Sequence, residues 1–401
     1  MRLPLGWFRP LGAATTVAGL LCTLVGVRTG WVELAVPGVA LLLAVLASSV
    51  LLVGRSTYRM EIDLAAERVV VGQEAFGRLL VTNTSERRLL PARVELPVGQ
   101  GHGDFALPSL AGGEQHEELF AVPTRRRAVV PVGPVRSVRG DALGLLSRAL
   151  TWTDAVLLHV HPRTANLRGI ATGVLRDLEG QATQVLSDND MSFHALRDYV
   201  PGDDKRHIHW RASAKQGDLL VRQFEDTRRT RTAIALATAS DCYVSSDAAE
   251  LAVSVLASVA VQTILDDRDL TALAGDPAPK GAAEQSARPG AGLLRVDTPQ
   301  VLLDDTCAID IHPGGRSDLA LAPWVARQAP DATVVLLVTG SVTDPVALRS
   351  TVRRLPVGTR TVVIRCEPGA ELSVAQTGST TTAVLGVLGE LGRLLRQAVR
   401  A

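Results

Sequence analysis

The residues best equipped for chemistry crowd into one stretch, 187–226. Arg197, Asp198, Asp203, Asp204, Lys205, Arg206 and Arg211 lie close together there, interleaved with Tyr199, Ile208 and Trp210. Three chemistries suit such a set. His207 and His209 would share one face of a strand, and His194, Asp203 and Asp204 could add ligands for zinc or a harder cation. Arg197, Arg206 and Arg211 carry guanidinium forks that match phosphate oxygens. A phosphate or enzymatic site would centre on Arg197, Asp203, Arg206 and His209. The third reading is structural: Asp–Arg pairs lock a turn, with Tyr199 and Trp210 packed beneath them. No metallohydrolase motif is present, and no Asp/His/Ser or cysteine set stands at catalytic spacing. The structural reading therefore leads, and no residue is assigned to catalysis.

Something must hold that stretch in place. Pro201-Gly202-Asp203 signals a tight turn. Ile208 begins a short strand or a helix, and Leu219 to Phe224 reads as a strand with Leu219, Val221 and Gln223 on one face. Beyond it, apolar runs at Thr232–Thr238, Thr333–Thr339 and Arg360–Arg365 suit buried strands. Helical spacing covers Asp247–Leu265, about Asp318–Gln328, Pro345–Leu355 and Thr380–Val399. Along the first of these the stripe is Ala248, Leu251, Val255, Val259 and Gln262 or Thr263, and Asp247 with Glu250 reads as a capping box. Strands alternating with helices imply an open, mainly parallel sheet covered on both faces. Residues 276–292, rich in Ala, Pro and Gly, read as a flexible insertion.

Upstream the period changes. Ala75–Val81, Arg93–Leu96, Leu119–Val122 and Ala128–Val130 suit short strands, separated by turn signals at Asn83-Thr84-Ser85, Gly99–Gly103 and Gly112-Gly113. That spacing favours a small β-sandwich or open barrel. The Arg125-Arg126-Arg127 run reads as a charged hairpin edge that discourages sheet pairing, with contact to anionic lipid as the other use.

The first residues are a different material. Leu11–Val27 carries no charge, Arg28-Thr29-Gly30 interrupts, and Trp31–Val53 is apolar apart from Glu33. Both runs are long enough for a bilayer. The second follows too soon for a cleaved signal peptide. Trp7, Phe8 and Trp31 stand where interfacial aromatics belong, and Glu33 sits near an interface. Arg2, Arg9, Arg55 and Arg59 flank the pair against Arg28 alone in the turn, which places the soluble part in the cytoplasm. The cysteines Cys22, Cys242, Cys307 and Cys366 form no CxxC pair, in keeping with a reducing compartment. A net charge of +1 excludes a general argument for nucleic acid.

The central stretch closely resembles the signature of the bacterial DUF58 family, Arg-x-Tyr-x-Pro-Gly-Asp-Asp-x-Arg-x-Ile-His/Asp-Trp followed by x-x-Ser-Ala-Arg/Lys. Arg197, Tyr199, Pro201, Gly202, Asp203, Asp204, Arg206, Ile208, His209, Trp210, Ser213, Ala214 and Lys215 match it. Gly140-Asp141-Ala142-Leu143-Gly144-Leu145 is similar to the family's Gly-Asp-Pro-Phe-Gly-Leu segment, and two N-terminal spans are usual in it. The family pattern does not require His194 or His207.

The resemblance implies a membrane-anchored, multidomain chain. Residues 1–55 form a transmembrane hairpin with spans at about 8–27 and 31–53. Residues 56–165 form a β-rich, sandwich-like domain, 166–230 the signature segment, and 231–401 an α/β domain like that of von Willebrand factor A. In that fold the first strand ends in Asp-x-Ser-x-Ser, which holds a divalent cation. Here Ala237 stands at the first aspartate position and Asp241 at the last serine, so only Thr238, Ser240 and Asp241 offer oxygens and the site reads as degenerate. Asp304 and Asp305 could lend acid from elsewhere. No cofactor is expected. Family members are commonly encoded beside MoxR-type AAA+ ATPases and transglutaminase-like membrane proteins. The resemblance thus implies a non-enzymatic, cytoplasm-facing scaffold or adaptor in the inner membrane. It would act with such an ATPase, and with a transglutaminase-like membrane protein, in assembly or maturation of membrane or envelope proteins. A divalent-metal-dependent binding module and the phosphate site are the alternatives.

Overall fold

Two apolar helices, α1 (Pro10–Thr29) and α2 (Val32–Leu52), open the described chain. The computed structural model describes residues 10–52, 58–89, 91–140, 144–168, 192–201, 203–225, 231–275 and 292–400. The basic flanks Arg2, Arg9 and Arg55 and the aromatics Trp7 and Phe8 lie outside them. Contacts divide the chain into two units, Met1–His161 and Pro162–Ala401.

Three helices among the described residues are long and apolar enough to cross a membrane: Pro10–Thr29, Val32–Ser49 and Ser246–Leu265. Burial separates them, at 17% and 22% for the first two against 67% for the third. The third is a core helix, and the first two are candidate spans about 30 Å long. They pack through small residues. Gly12, Gly19 and Gly26 recur at seven-residue spacing on α1 and are buried. A Cβ at Gly26 would lie 2.6 Å from the Ala35 nitrogen, and one at Gly38 would lie 2.6 Å from that of Thr23. Backbones this close gain dispersion contacts that lipid cannot supply. At the mouth of α2, Trp31 Nε1 donates to Glu33 at 2.7 Å, so the one acid of the run is an exposed partner of an interfacial aromatic.

The same unit continues as two sheets. β1 (Tyr58–Leu64), β3 (Ala75–Asn83) and β6 (Gln115–Val122) form an antiparallel sheet in the order β1-β3-β6. The second runs β2 (Arg68–Val70), β10 (Val156–His161), β7 (Ala128–Val132), β4 (Ala92–Val98), β8 (Arg136–Gly140), β9 (Ser147–Thr151), with β5 (Gly101–Leu107) on β4. Alternation along β3 sends Leu79 and Val81 inward, where they share a core with Val94, Leu96, Val132 and Leu158. The turn expected over Gly99–Gly103 is shorter: Gly101 and Gly103 already pair with Val98 and Leu96. Arg125–Arg127 joins strands of different sheets, so it is a crossover and not a hairpin edge. Leu146 is fully buried and clusters with Leu145, Val45 and Ala44, while a Cβ at Gly12 would overlap the Leu145 carbonyl. The segment like Gly-Asp-Pro-Phe-Gly-Leu thus meets the hairpin through its final Leu145, with Leu146 just beyond it, its Asp141–Leu143 lying outside the described residues.

Among the described residues of the second unit, β11 (Ser192–Asp198) and β12 (Leu220–Glu225) pair, with helix α3 (Trp210–Gln216) between them. A six-stranded sheet follows. Its strands are β13 (Arg231–Leu236), β14 (Asp269–Ala274), β15 (Val334–Gly340), β16 (Arg360–Cys366), β17 (Ser373–Thr377) and β18 (Thr380–Leu385), in the order β14-β13-β15-β16-β18-β17. All neighbours are parallel except β17. Every residue of β15 is buried, as a two-face-covered parallel strand requires. Helices α4 (Ser246–Leu265), α5 (Pro299–Cys307), α6 (Leu321–Gln328), α7 (Pro345–Val352) and α8 (Leu391–Arg400) complete the unit.

Three sequence expectations change here. Thr380–Val399 is not one helix: the β-branched Thr380-Thr381-Thr382 run enters strand β18, and helix resumes only at Leu391. The cap of α4 is Ser245, whose hydroxyl accepts from Ala248 N at 3.2 Å, and not an Asp247–Glu250 box. Its stripe widens to nearly the whole surface, because α4 is buried on most sides. Residues 276–291 of the expected insertion lie outside the described residues.

Candidate functional site

β11 and β12 pair antiparallel, with Arg197 opposite Val221 and Asp198 opposite Leu220. The chain between them makes a turn, a short 3-10 segment (Lys205–His207) and α3. Its hinge is one ion pair. Arg197 Nη1 donates to Asp203 Oδ2 at 2.7 Å and Nη2 to Oδ1 at 2.6 Å. The same carboxylate accepts from Val200 N at 2.9 Å. This fork is a two-point clamp that fixes orientation as well as charge. The Arg197 fork, with the Val200 amide second, holds the Asp203 carboxyl down at about 2, below its ordinary 3.8.

Each following signature residue has a local task. Asp204 Oδ1 accepts from Arg206 N at 2.9 Å and caps the 3-10 segment. His209 Nδ1 accepts from Ala212 N at 3.1 Å and caps α3. Ser213, buried, donates to His209 O and accepts from Leu220 N at 2.9 Å, tying α3 to β12. Gly217, at φ 87°, ends the helix in the left-handed conformation that glycine adopts without strain. Ile208 bridges Val221, and Ile208, Leu220 and Val221 are buried. Gly202 lies outside the described residues.

This arrangement revises the sequence picture at several points. His207 and His209 do not share a strand face: one is in a 3-10 turn and the other is a helix cap, because the turn and caps outcompete extension. His194 falls at the ladder irregularity between Phe193 and Ala195. Trp210 is not packed beneath the pairs but 66% exposed. Leu219 precedes β12 and is exposed, and Leu220 and Val221 are the buried neighbours. Lys205, Arg206, Arg211 and Lys215 are exposed, and Pro201 with them, while Tyr199 is half-buried.

The second candidate lies at the end of β13, where the order of the sheet reverses between β14 and β15. Open α/β sheets bind ligands at such a point. Here the chain fills it. Ala237 is fully buried, and its carbonyl accepts from Tyr243 Oη at 2.6 Å. The Thr238 hydroxyl accepts from Arg316 N at 2.8 Å. A Cβ at Gly315 would overlap the Thr238 carbonyl, and one at Gly340 the Cys242 carbonyl. Asp241 is exposed on the 3-10 turn Ser240–Cys242. Ala237 thus brings no side-chain oxygen and the Thr238 hydroxyl is already bonded, so of the four only Ser240 and Asp241 are left, a poor set for a divalent cation.

One group here escaped the sequence reading. Asp318 is 2% exposed, accepting from Leu319 N at 2.8 Å and from the Thr339 hydroxyl at 3.2 Å. Burial, with Asp318 nearby, pushes the Cys242 thiol up to about 12, which makes it inert. An acid inside the apolar pattern that starts α6 was the available signal. Asp305, by contrast, clamps Arg295 from α5, with Arg295 Nη2 donating at 2.6 Å. No group of three or more His, Cys, Asp or Glu among the described residues is placed to hold a metal.

Comparison with known proteins agrees with the signature. Residues 195–381 match the family model described as "Protein of unknown function DUF58", so a DUF58 domain is present. No curated protein matches the chain. Similar solved structures include a CARDB domain from Pyrococcus furiosus, 12% identical over 26% of this chain and 91% of that one, with TM-score 0.20. The C-terminal domain of wzt is 11% identical over 27% and 75%, with TM-score 0.21. A beta-glucosidase from Listeria innocua is 10% identical over 27% and 16%, with TM-score 0.19. Likenesses at these scores carry no argument about fold or function.

Proposed function

We propose that this chain is a non-enzymatic, membrane-tethered adaptor whose DUF58 domain binds a protein partner. One observation carries the reading: the Arg197 fork, the group best suited to a ligand, is consumed by Asp203 within the chain. The polar signature residues act as caps and clamps, and what they hold outward is a tryptophan among cations. That is how an interaction surface is built, with aromatic and arginine side chains on a rigid support. The candidate spans α1 and α2 support a membrane-tethered domain, and the basic flanks in the sequence favour a cytoplasmic orientation for it. The first β region serves as a sandwich-like spacer, and the α/β unit as a degenerate von Willebrand factor A-like module.

A MoxR-type AAA+ ATPase, with a transglutaminase-like membrane protein, is the partner pair that the family resemblance suggests. A nucleic-acid partner has no support in the near-neutral net charge. The alternatives, metal-dependent binding and phosphate chemistry, are less favoured, because the clamp and the helix cap take up Arg197, Asp203 and His209 and leave Arg206 alone of that set. The test is affinity purification of the full chain from detergent-solubilised membranes with ATP present. An ATPase or membrane protein should co-purify and be lost on Trp210→Ala. Recovery of no partner in either nucleotide state would sink the reading.

A further inference from the structure

The adaptor reading leaves the chemistry of the partner open, and the exposed face of the signature narrows it. Three apolar side chains stand out of the surface there: Trp210 at 66%, Val200 at 57% and Leu219 at 45% exposure. They belong together. Tyr199 N donates to Leu219 O and His209 N to Leu220 O, both at 2.8 Å, so all three flank one end of the β11–β12 ladder. The backbone beneath them is fixed by the Arg197–Asp203 clamp, the His209 cap and the Ser213 bridge. An exposed tryptophan on a rigid support loses little entropy when covered.

Along the run that carries Trp210 the charge is one-sided. From Lys205 to Gln216 the sequence has Lys205, Arg206, Arg211 and Lys215 and no acidic residue. All four cations are exposed, and Arg211 and Lys215 are one turn apart on α3. The nearby acids lie outside that run: Asp203 is held by Arg197, and Asp198 and Asp218 flank it. Asp204, just ahead of the run, caps it. Guanidinium forks take carboxylates or phosphates in two-point contact, and a carboxylate-bearing segment needs no modification to supply them. An anionic lipid surface would also attract these cations, but insertion into it calls for a broad apolar helix face beside them. α3 has seven residues and a single aromatic.

We infer that this face takes an acidic segment of a protein partner, in which an apolar side chain lies beside two or more Asp or Glu residues. The apolar side chain covers Trp210, and the carboxylates meet Arg206, Arg211 and Lys215. This rests on the adaptor reading and adds the partner's chemistry to it.

The test uses the full chain in its native membrane, with p-benzoylphenylalanine in place of Ala214, an exposed residue one turn beyond Trp210. After irradiation, the peptides joined to position 214 are identified by mass spectrometry. They should come from protein and carry a net negative charge. Yield should fall at least about tenfold with Trp210→Ala and with Arg206→Glu/Arg211→Glu, as loss of a central anchor does. It should also fall severalfold as salt rises from about 0.05 to about 0.5 M, because the rim charges are screened. Phosphatase treatment should leave it unchanged. Unaltered thermal unfolding of the variants would show that these exposed substitutions spare the fold. Adducts with lipid alone, with neutral or basic segments, or insensitive to charge reversal would overturn the inference. If a partner still co-purifies in those cases, the adaptor reading survives and only the acidic segment is lost.

Discussion

The end of β13 and the turn between β11 and β12 are both places where a sequence reader would look for chemistry, and they have gone opposite ways. At β13 the crevice is closed by the protein's own backbone, with Gly315 and Gly340 letting neighbouring segments in against Thr238 and Cys242. At the signature turn the polar groups are spent on shape, while Trp210 and its cations face water. The first site has the topology of a ligand crevice, but Ala237 offers no ligating side chain there. The second has many polar groups and has bonded Arg197, Asp203, Asp204 and His209 within the chain to hold a surface. Residue type therefore decides less than what each side chain is already bonded to.

The comparison is most severely tested by restoring the missing acid. Ala237→Asp puts a carboxylate where the resemblance to von Willebrand factor A folds would have one, but here the position is fully buried and its surroundings are filled. A charge there has no partner, so the substitution is expected to cost about 3–5 kcal/mol of stability. It should also create no cation site. Urea unfolding of the full chain in micelles measures the first, and Mg²⁺ calorimetry the second. A stable variant that binds Mg²⁺ would show the crevice to be open and waiting.

Next in size is an effect on binding without an effect on folding. Trp210→Ala removes a side chain that is mostly in water, so stability should change by less than about 0.5 kcal/mol. Partner capture should fall at least about tenfold, the loss usual for a central aromatic anchor. Co-purification and thermal unfolding, read together, separate the two. A large loss of stability would return Trp210 to the packed role that the sequence suggested.

Much of this was legible beforehand, and the gaps have physical causes. The strand Val334–Gly340 is apolar throughout and could be read as buried without a structure. The hairpin of spans was equally plain in its apolar length. By contrast, Thr380–Leu385 was misread because a short apolar run followed by a helix looks continuous when its partners β16 and β17 are unseen. The pairing of Arg197 with Asp203 follows a six-residue spacing that belongs to no regular element, so only the turn itself could bring them together. The burial of Asp318 depends on Thr339, from a strand 21 residues away.

A smaller effect concerns the clamp. Arg197→Lys keeps the charge but loses the fork, and a point charge cannot hold both Asp203 oxygens in one plane. The turn should loosen without unfolding the parallel sheet, whose core is separate from it. Limited proteolysis should cut between residues 199 and 217 severalfold faster, and partner capture should weaken by less than for Trp210→Ala. Equal protease resistance in the two chains would mean that the caps on Asp204 and His209 suffice.

The smallest expected effect is with pH, and its size is itself informative. A carboxyl whose value drops on folding adds stability that is complete above its unfolded value and disappears as pH falls through the folded one. For Asp203 that window runs from about 3.8 down to about 2. Between pH 8 and 5 the clamp should therefore be indifferent to pH, and a partner contact built on it should not switch in any mild acidification. The Asp203 carboxyl carbon, followed by NMR in the full chain, should titrate near the lower end of the window. In Arg197→Ala it should move back up, because the guanidinium is the main cause of the shift. A midpoint near 3.8 in the unaltered chain would mean that the fork is not made in solution. The signature turn would then lose what sets it apart from the crevice at β13: a carboxylate committed to a partner inside the chain.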